Sequence, residues 1–204
     1  MKNDHLIRPG FDRRMTREEI NRCPVARWEG PVEVVRSEKQ LNRAAEELGR
    51  ERVLGFDTET RPAFKKGQKY SPALVQLAGE KRVYLFQLRH CGFREPLAAL
   101  LADPAIIKAG VSPAYDLKEL RALAPFNAAG FTELADLAGQ KGIKNNGLRG
   151  LAAVVLGLRI TKSAQTTNWA RKELTESQIR YAATDAWMGR ELYFRLLELP
   201  DKRQ

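Results

Sequence analysis

From Val32 onward the apolar positions change period repeatedly, and each change predicts an element. Val32-Glu-Val-Val35 alternates and reads as a strand; Ser37 then stands as N-cap to Leu41, Ala44, Ala45 and Leu48 at helical spacing. Val53-Leu-Gly-Phe-Asp57 is a short apolar run ending in a carboxylate, a buried strand. Ala73 to Ala78 and Arg82 to Phe86 bracket Gly79-Glu80 and read as a hairpin. A short helix over Pro96 to Leu101, a strand at Ile106-Ile107 running to Gly110, and a helix from Asp116 to Ala124 follow. Phe131 to Leu137 reads as a strand plus a turn, Lys141 to Asn146 as a loop, and Leu148 to Leu158 as a helix. Thr175 opens the last helix, whose buried face is drawn by Ile179, Ala182, Ala183, Ala186, Leu192, Leu196 and Leu197.

Strands clustered first, with helices between and after them, predict an α/β fold: one mixed sheet flanked by helices, in a single domain over residues 32–204. Residues 1–31 read as an N-terminal extension. Thr16-Arg-Glu-Glu19 is a capping-box pattern for a short helix, and Pro24 and Gly30-Pro31 end it. This extension is expected to pack on the outside of the domain or to be partly mobile.

A length of 204 residues is enough for one full hydrophobic core. The charge changes the picture more: a formal net charge of +10 calls for a polyanionic partner, a nucleic acid or an anionic membrane surface. No apolar stretch approaches the ~20 residues needed to span a bilayer, and no amphipathic basic helix is evident, so no membrane is expected. Cys23 and Cys91 form no Cys-x-x-Cys pair and the first residues carry no apolar signal region; the expectation is a soluble, cytoplasmic protein with two idle thiols.

Three acidic motifs stand out. In Phe56-Asp57-Thr58-Glu59 the two acids sit at i and i+2, on one face of a strand. Like charges side by side repel, and a hard cation compensates them; an exposed acidic turn is the ordinary alternative. Tyr181 and Asp185 share one face of the last helix, which is otherwise apolar there; a structural contact between them is the alternative. Asp116 follows Gly110-Val-Ser-Pro-Ala-Tyr and opens a helix, where the dipole alone would favour it. Singly, each has a structural explanation.

Taken in order, the motifs resemble those of the DEDDy-type 3′→5′ exonucleases, in the Werner-type exonuclease and ribonuclease D branch. Phe56 to Glu59 is similar to the first motif, Gly110 to Asp116 to the second and Tyr181 to Asp185 to the third. Ala73 to Leu77, Lys162-Ser163 and Asn168-Trp169 extend the resemblance, which runs from about Val32 to Leu197. Ser112 departs from the pattern, since proofreading relatives often carry Asn there. Arg180 stands where the sister group has His, which favours the tyrosine subclass.

The resemblance implies a ribonuclease H-like fold and a metal-dependent 3′→5′ exonuclease that releases 5′-nucleoside monophosphates from the 3′ end of single-stranded or frayed DNA or RNA. It implies two divalent cations, Mg²⁺ or Mn²⁺, held by Asp57, Glu59, Asp116 and Asp185, with Tyr181 orienting the attacking water. Thr58, Arg61, Lys162, Ser163 and Arg171, in or near the motifs, are the candidate nucleic-acid contacts, and the resemblance itself touches Lys162. Lys65, Lys66, Lys69, Lys141, Lys144, Arg149 and Lys172 are further candidates for phosphate. Trp169 is read as packing under its loop rather than stacking on a base, and Asp136 as structural. His5 and His90 lie away from every motif. The competing reading is a catalytically inactive nucleic-acid-binding module on the same fold.

Overall fold

The computed structural model describes residues 8–65 and 67–202. Lys66 and His5 lie outside the described residues. Six strands form one mixed sheet: β1 (Val32–Val35), β2 (Val53–Thr60), β3 (Pro72–Ala78), β4 (Val83–Gln87), β5 (Ile107–Gly110) and β6 (Phe131–Glu133). Their spatial order is β1-β4-β3-β2-β5-β6. The hairpins β2–β3 and β3–β4 are antiparallel, while β1–β4, β2–β5 and β5–β6 are parallel. The expected mixed sheet with flanking helices is therefore present.

The helices are α1 (Arg17–Arg22), α2 (Glu38–Leu48), α3 (Leu88–Cys91), α4 (Glu95–Ala102), α5 (Pro113–Arg121), α6 (Leu134–Gln140), α7 (Leu148–Leu151) and α8 (Glu176–Glu198). Their starts follow the sequence chemistry. The Ser37 hydroxyl accepts from the Gln40 amide, and Thr16 and Thr175 each close a capping box with the residue three positions on. Two stretches differ from the pattern. Phe131 to Leu137 is not a strand and a turn: after three residues the chain enters α6, because the Glu133 side chain accepts from the Ala135 amide and caps it. Leu148 to Leu158 is not one α-helix either. After α7 it widens into a π-helical turn over Ala152–Leu156 and stops at Gly157, whose φ of 65° suits a residue without Cβ.

The alternation along β2 sets out the whole molecule. Leu54 and Phe56 point to one face, where they join Leu41 and Leu48 of α2, Leu97 and Leu101 of α4, and Leu117 and Leu120 of α5. Each such leucine contributes about 1.5–3 kcal/mol of burial. The odd-numbered residues face α8, which crosses β2, β3, β4 and β5. Gly55 makes that crossing close. A Cβ there would lie 1.8 Å from the Ala186 carbonyl oxygen, so helix backbone rests directly on strand backbone. Gly189 repeats the device one turn on, where a Cβ would come within 2.9 Å of the Ala109 carbonyl oxygen.

No described helix is long and apolar enough to cross a membrane. Cys23 and Cys91 are not disulfide-bonded, and burial pushes the Cys91 thiol up to about 11.

Candidate active site

Asp57 and Glu59 follow Gly55 on the α8 face of β2, as the two-residue period requires. The close packing of α8 at Gly55 brings Asp185, the neighbour of Ala186, to the same place, with Tyr181 one turn earlier. Asp116 comes from the other side of the sheet. The chain leaves β5 and turns at Ser112, which has a left-handed φ of 56°, and α5 begins at Pro113. That conformation costs a non-glycine residue roughly 1–2 kcal/mol and is best tolerated by Asn, which gives a physical reason for Asn at this position elsewhere. The turn is held by Glu133, whose carboxylate accepts from the Ser112 amide at 2.7 Å.

Thr58 lies between the acids. Its side chain points to the α5 face of β2, and its hydroxyl donates to Asp116 at 2.6 Å. Its backbone amide donates to Asp57 at 2.8 Å. A cleft of about 790 Å³ opens over Asp57, Glu59, Tyr181 and Asp185. Thr58 and Lys162 line it too, and so does Arg149. Ser163 lines an adjoining groove of about 300 Å³ on the far side of Tyr181 and Asp185. Arg61 and Arg171 lie outside both walls; the Arg61 guanidinium covers the Tyr70 ring, and the Arg171 carbonyl accepts from Gln87. Lys65, Lys69 and Lys172 are exposed, and Lys141 pairs with Asp201. Trp169 is fully buried, with its ring 6.0 Å from that of Tyr181, so it supports the tyrosine from behind and is closed to a base.

Every member of the cluster is pushed toward its neutral form. Burial raises Glu59 to about 10, helped by Asp57, Asp185 and Asp116 in turn. Burial raises Asp116 to about 6 against the opposing Thr58 hydrogen bond. Asp57 and Asp185 are both raised, first by burial and then by charge, Asp57 by Asp116 and Asp185 by Asp57. Tyr181 is raised as well, by burial and by the nearby Asp185 and Glu59. It therefore holds its proton at any ordinary pH.

The donor set fits hard divalent cations. All its side chains offer oxygen, Asp57, Glu59 and Asp185 line one cleft with Asp116 held beside it through Thr58, and Asp185 Oδ1 is buried without a hydrogen-bond partner. The fit is one of charge and donor type. Among the described residues no three acidic, His or Cys side chains already converge as a cage, and Asp116 is turned toward Thr58.

These shifts fix the sign of a pH effect. Acids raised in the folded state bind protons that the unfolded chain has released, so the metal-free fold loses stability as pH rises from about 4 through the raised values. Melting of EDTA-treated protein should therefore show a Tm contribution from this cluster that falls between about pH 5 and pH 8. Mn²⁺ should raise the Tm strongly at the upper pH and little at the lower, because cation and proton compete for the same oxygens.

The mixed sheet thus brings Asp57, Glu59 and Asp185 to a cleft that basic side chains also line. Residues 32–199 match the family model described as 3′-5′ exonuclease, and the chain belongs to that family. It is 37% identical over 158 residues to the bifunctional 3′-5′ exonuclease/ATP-dependent helicase WRN of Mus musculus, which covers 74% of this chain and 11% of that protein. It is 32% identical over 186 residues to ribonuclease D of Gluconacetobacter diazotrophicus, covering 87% of this chain and 45% of that one. The chain thus spans less than half the length of either relative. The crystal structure of the Aedes aegypti Nibbler EXO domain superimposes with a TM-score of 0.77 at 24% identity, over 84% of this chain and 91% of that one. The fold is accordingly shared with that exonuclease domain.

Proposed function

We propose that this chain is an active exonuclease of the DEDDy class that shortens single-stranded or frayed nucleic acid from its 3′ end by a two-metal-ion mechanism, releasing 5′-nucleoside monophosphates. The observation that carries the proposal is the meeting of Asp57, Glu59, Tyr181 and Asp185, from β2 and α8, in one cleft with a buried, unpartnered Asp185 oxygen. Asp57, Glu59 and Asp185, with Asp116 at the side, would hold two divalent cations, Mg²⁺ or Mn²⁺. When bound, such ions supply the charge that makes water nucleophilic near neutral pH and stabilises a departing 3′-oxygen.

The remaining work falls to the chain's own groups. The acids lining the cleft mark where the scissile phosphate would sit. Tyr181, backed by Trp169 and held protonated, is a hydrogen-bonding group that orients water and not a base. Lys162 meets the phosphate backbone from the cleft wall. The relatives' names include both an exonuclease–helicase and a ribonuclease. Either DNA or RNA ends are therefore candidate substrates.

The test is a labelled single-stranded DNA and a matched RNA incubated with Mg²⁺ or Mn²⁺, with and without EDTA. A metal-dependent ladder shortening from the 3′ end is expected. Protein that binds both strands and never shortens either is a binding module instead. Tyr181→Phe should lower kcat about 10²-fold, the low end for a positioned proton-handling group, while Mn²⁺ affinity by calorimetry stays at the parent value. A lost Mn²⁺ affinity would contradict the orienting role.

A further inference from the structure

We infer that residues 8–31 are a fixed wall of the cleft, and that Arg14 and Arg17 on this strap grip the phosphates neighbouring the scissile one. This rests on the exonuclease reading and adds to it a binding element that lies outside the matched region, residues 32–199.

The strap is tied down along its length. The Gly10 carbonyl accepts from the Lys144 amide at 2.6 Å, and the Met15 amide donates to the Asn145 side chain at 3.0 Å. The Ala26 amide donates to the Arg159 carbonyl at 2.8 Å, and the Arg159 amide to the Pro24 carbonyl at 2.9 Å. The Trp28 amide donates to the Thr184 hydroxyl at 3.1 Å, one residue from Asp185. Phe11 and the buried Ala26 join the core beneath α8. A segment held this way orders its side chains before any ligand arrives, which lowers the entropic cost of using them.

Its cations are divided by role. Arg13 is consumed inside the strap by Glu19, at 2.6 Å. Arg14 and Arg17 line the same cleft as Asp57, Glu59 and Asp185, together with Arg149 and Lys162. Among the described residues no ion pair joins either of them to an acid. Arg14 uses its Nε on the Lys144 carbonyl, at 3.1 Å, a contact that fixes the side chain without neutralising it. Arg14 and Arg17 thus line the same cleft as a set of acids to which they are not paired. A phosphodiester strand whose scissile group lies at the acids satisfies both walls, and guanidinium is the side chain best matched to phosphate.

The experiment uses the full chain in EDTA, where binding is read without cleavage, with a fluorescein-labelled single-stranded DNA and a matched RNA followed by anisotropy across a salt series. Two phosphate contacts contribute roughly 1.4 to the log–log salt slope on a single strand. The Arg14→Ala/Arg17→Ala variant should therefore bind about tenfold more weakly with a slope shallower by roughly that amount. Where cleavage is observed, KM should rise while kcat stays within about twofold, as for uniform binding. Arg14→Lys/Arg17→Lys should recover most of the slope, since charge is retained. Arg22→Ala, an exposed cation of α1 outside the cleft, should match the parent. An unchanged slope and affinity in the folded double variant overturns the inference, as does an equal loss in Arg22→Ala. If the double variant fails to fold, Arg17→Ala alone decides, with a slope shallower by roughly 0.7 expected and no change overturning it. A parent protein that binds but never cleaves defeats the exonuclease reading and leaves the strap tested by binding alone.

Discussion

Asp185→Asn is expected to reduce cleavage at least about 10³-fold, corresponding to roughly 4 kcal/mol of lost transition-state stabilisation, with the fold intact. The substitution keeps shape and replaces a carboxyl oxygen able to ligate a cation at a helix position only 5% exposed, whose Oδ1 lacks a partner. Because burial and the Asp57 charge already hold this carboxyl far above its ordinary range, the metal-free variant should melt no lower than the parent at about pH 8. What should vanish with activity is the rise in Tm on adding Mn²⁺. The same pairing of lost cleavage and lost metal response is expected for Asp57→Asn, since Asp57 lies at the centre of the mutual repulsion. Scanning calorimetry with and without Mn²⁺, beside a single-turnover assay, checks both. Parent-like cleavage in either variant removes that acid from the site.

Gly55→Ala should cost about 3 kcal/mol of stability and lower cleavage about 10²-fold, though no functional side chain is touched. The added Cβ meets the Ala186 carbonyl oxygen at 1.8 Å, its carbon at 2.8 Å and the Arg190 amide nitrogen at 2.9 Å. All three are backbone atoms, so no rotamer change relieves the contact and α8 has to retreat. That helix carries Asp185 and Tyr181, and β2 carries Asp57 and Glu59. Separation at Gly55 therefore opens the cluster itself. Gly139→Ala is the control: it lies within α6 with nothing near its missing Cβ, and it should stabilise by up to ~1 kcal/mol through helix propensity. Denaturant melts and initial rates on the two variants separate the effects. A Gly55→Ala protein with parent stability would show that the helix–strand approach has slack.

Much of the fold was legible because local rules and tertiary demands agreed. Ser37 and Thr175 are caps in sequence and in space, and the hairpin about Gly79-Glu80 forms where the alternation breaks. Phe131 to Leu137 departs from its pattern because the Glu133 side chain caps α6 locally. Glu133 both caps α6 and holds the Ser112 turn 21 residues away, and no local periodicity announces that double use. The π-helical widening after α7 is equally invisible, since Ala152 to Leu156 is apolar under either winding.

The site divides in the same way. That Asp57 and Glu59 share a face, and that Tyr181 and Asp185 share another, is fixed by the periods of strand and helix and can be read from spacing alone. Family membership was carried by the order of the motifs. Only the tertiary structure decided that these faces meet, through backbone contact at Gly55, and that Thr58 on the opposite face finds Asp116. It alone set Arg14 and Arg17 in the cleft wall, because a capping box and two breakers say how a segment folds but not what it lies against. Sequence determines what each element can present, by local sterics and hydrogen bonding; which elements confront one another is settled by how closely their backbones can approach.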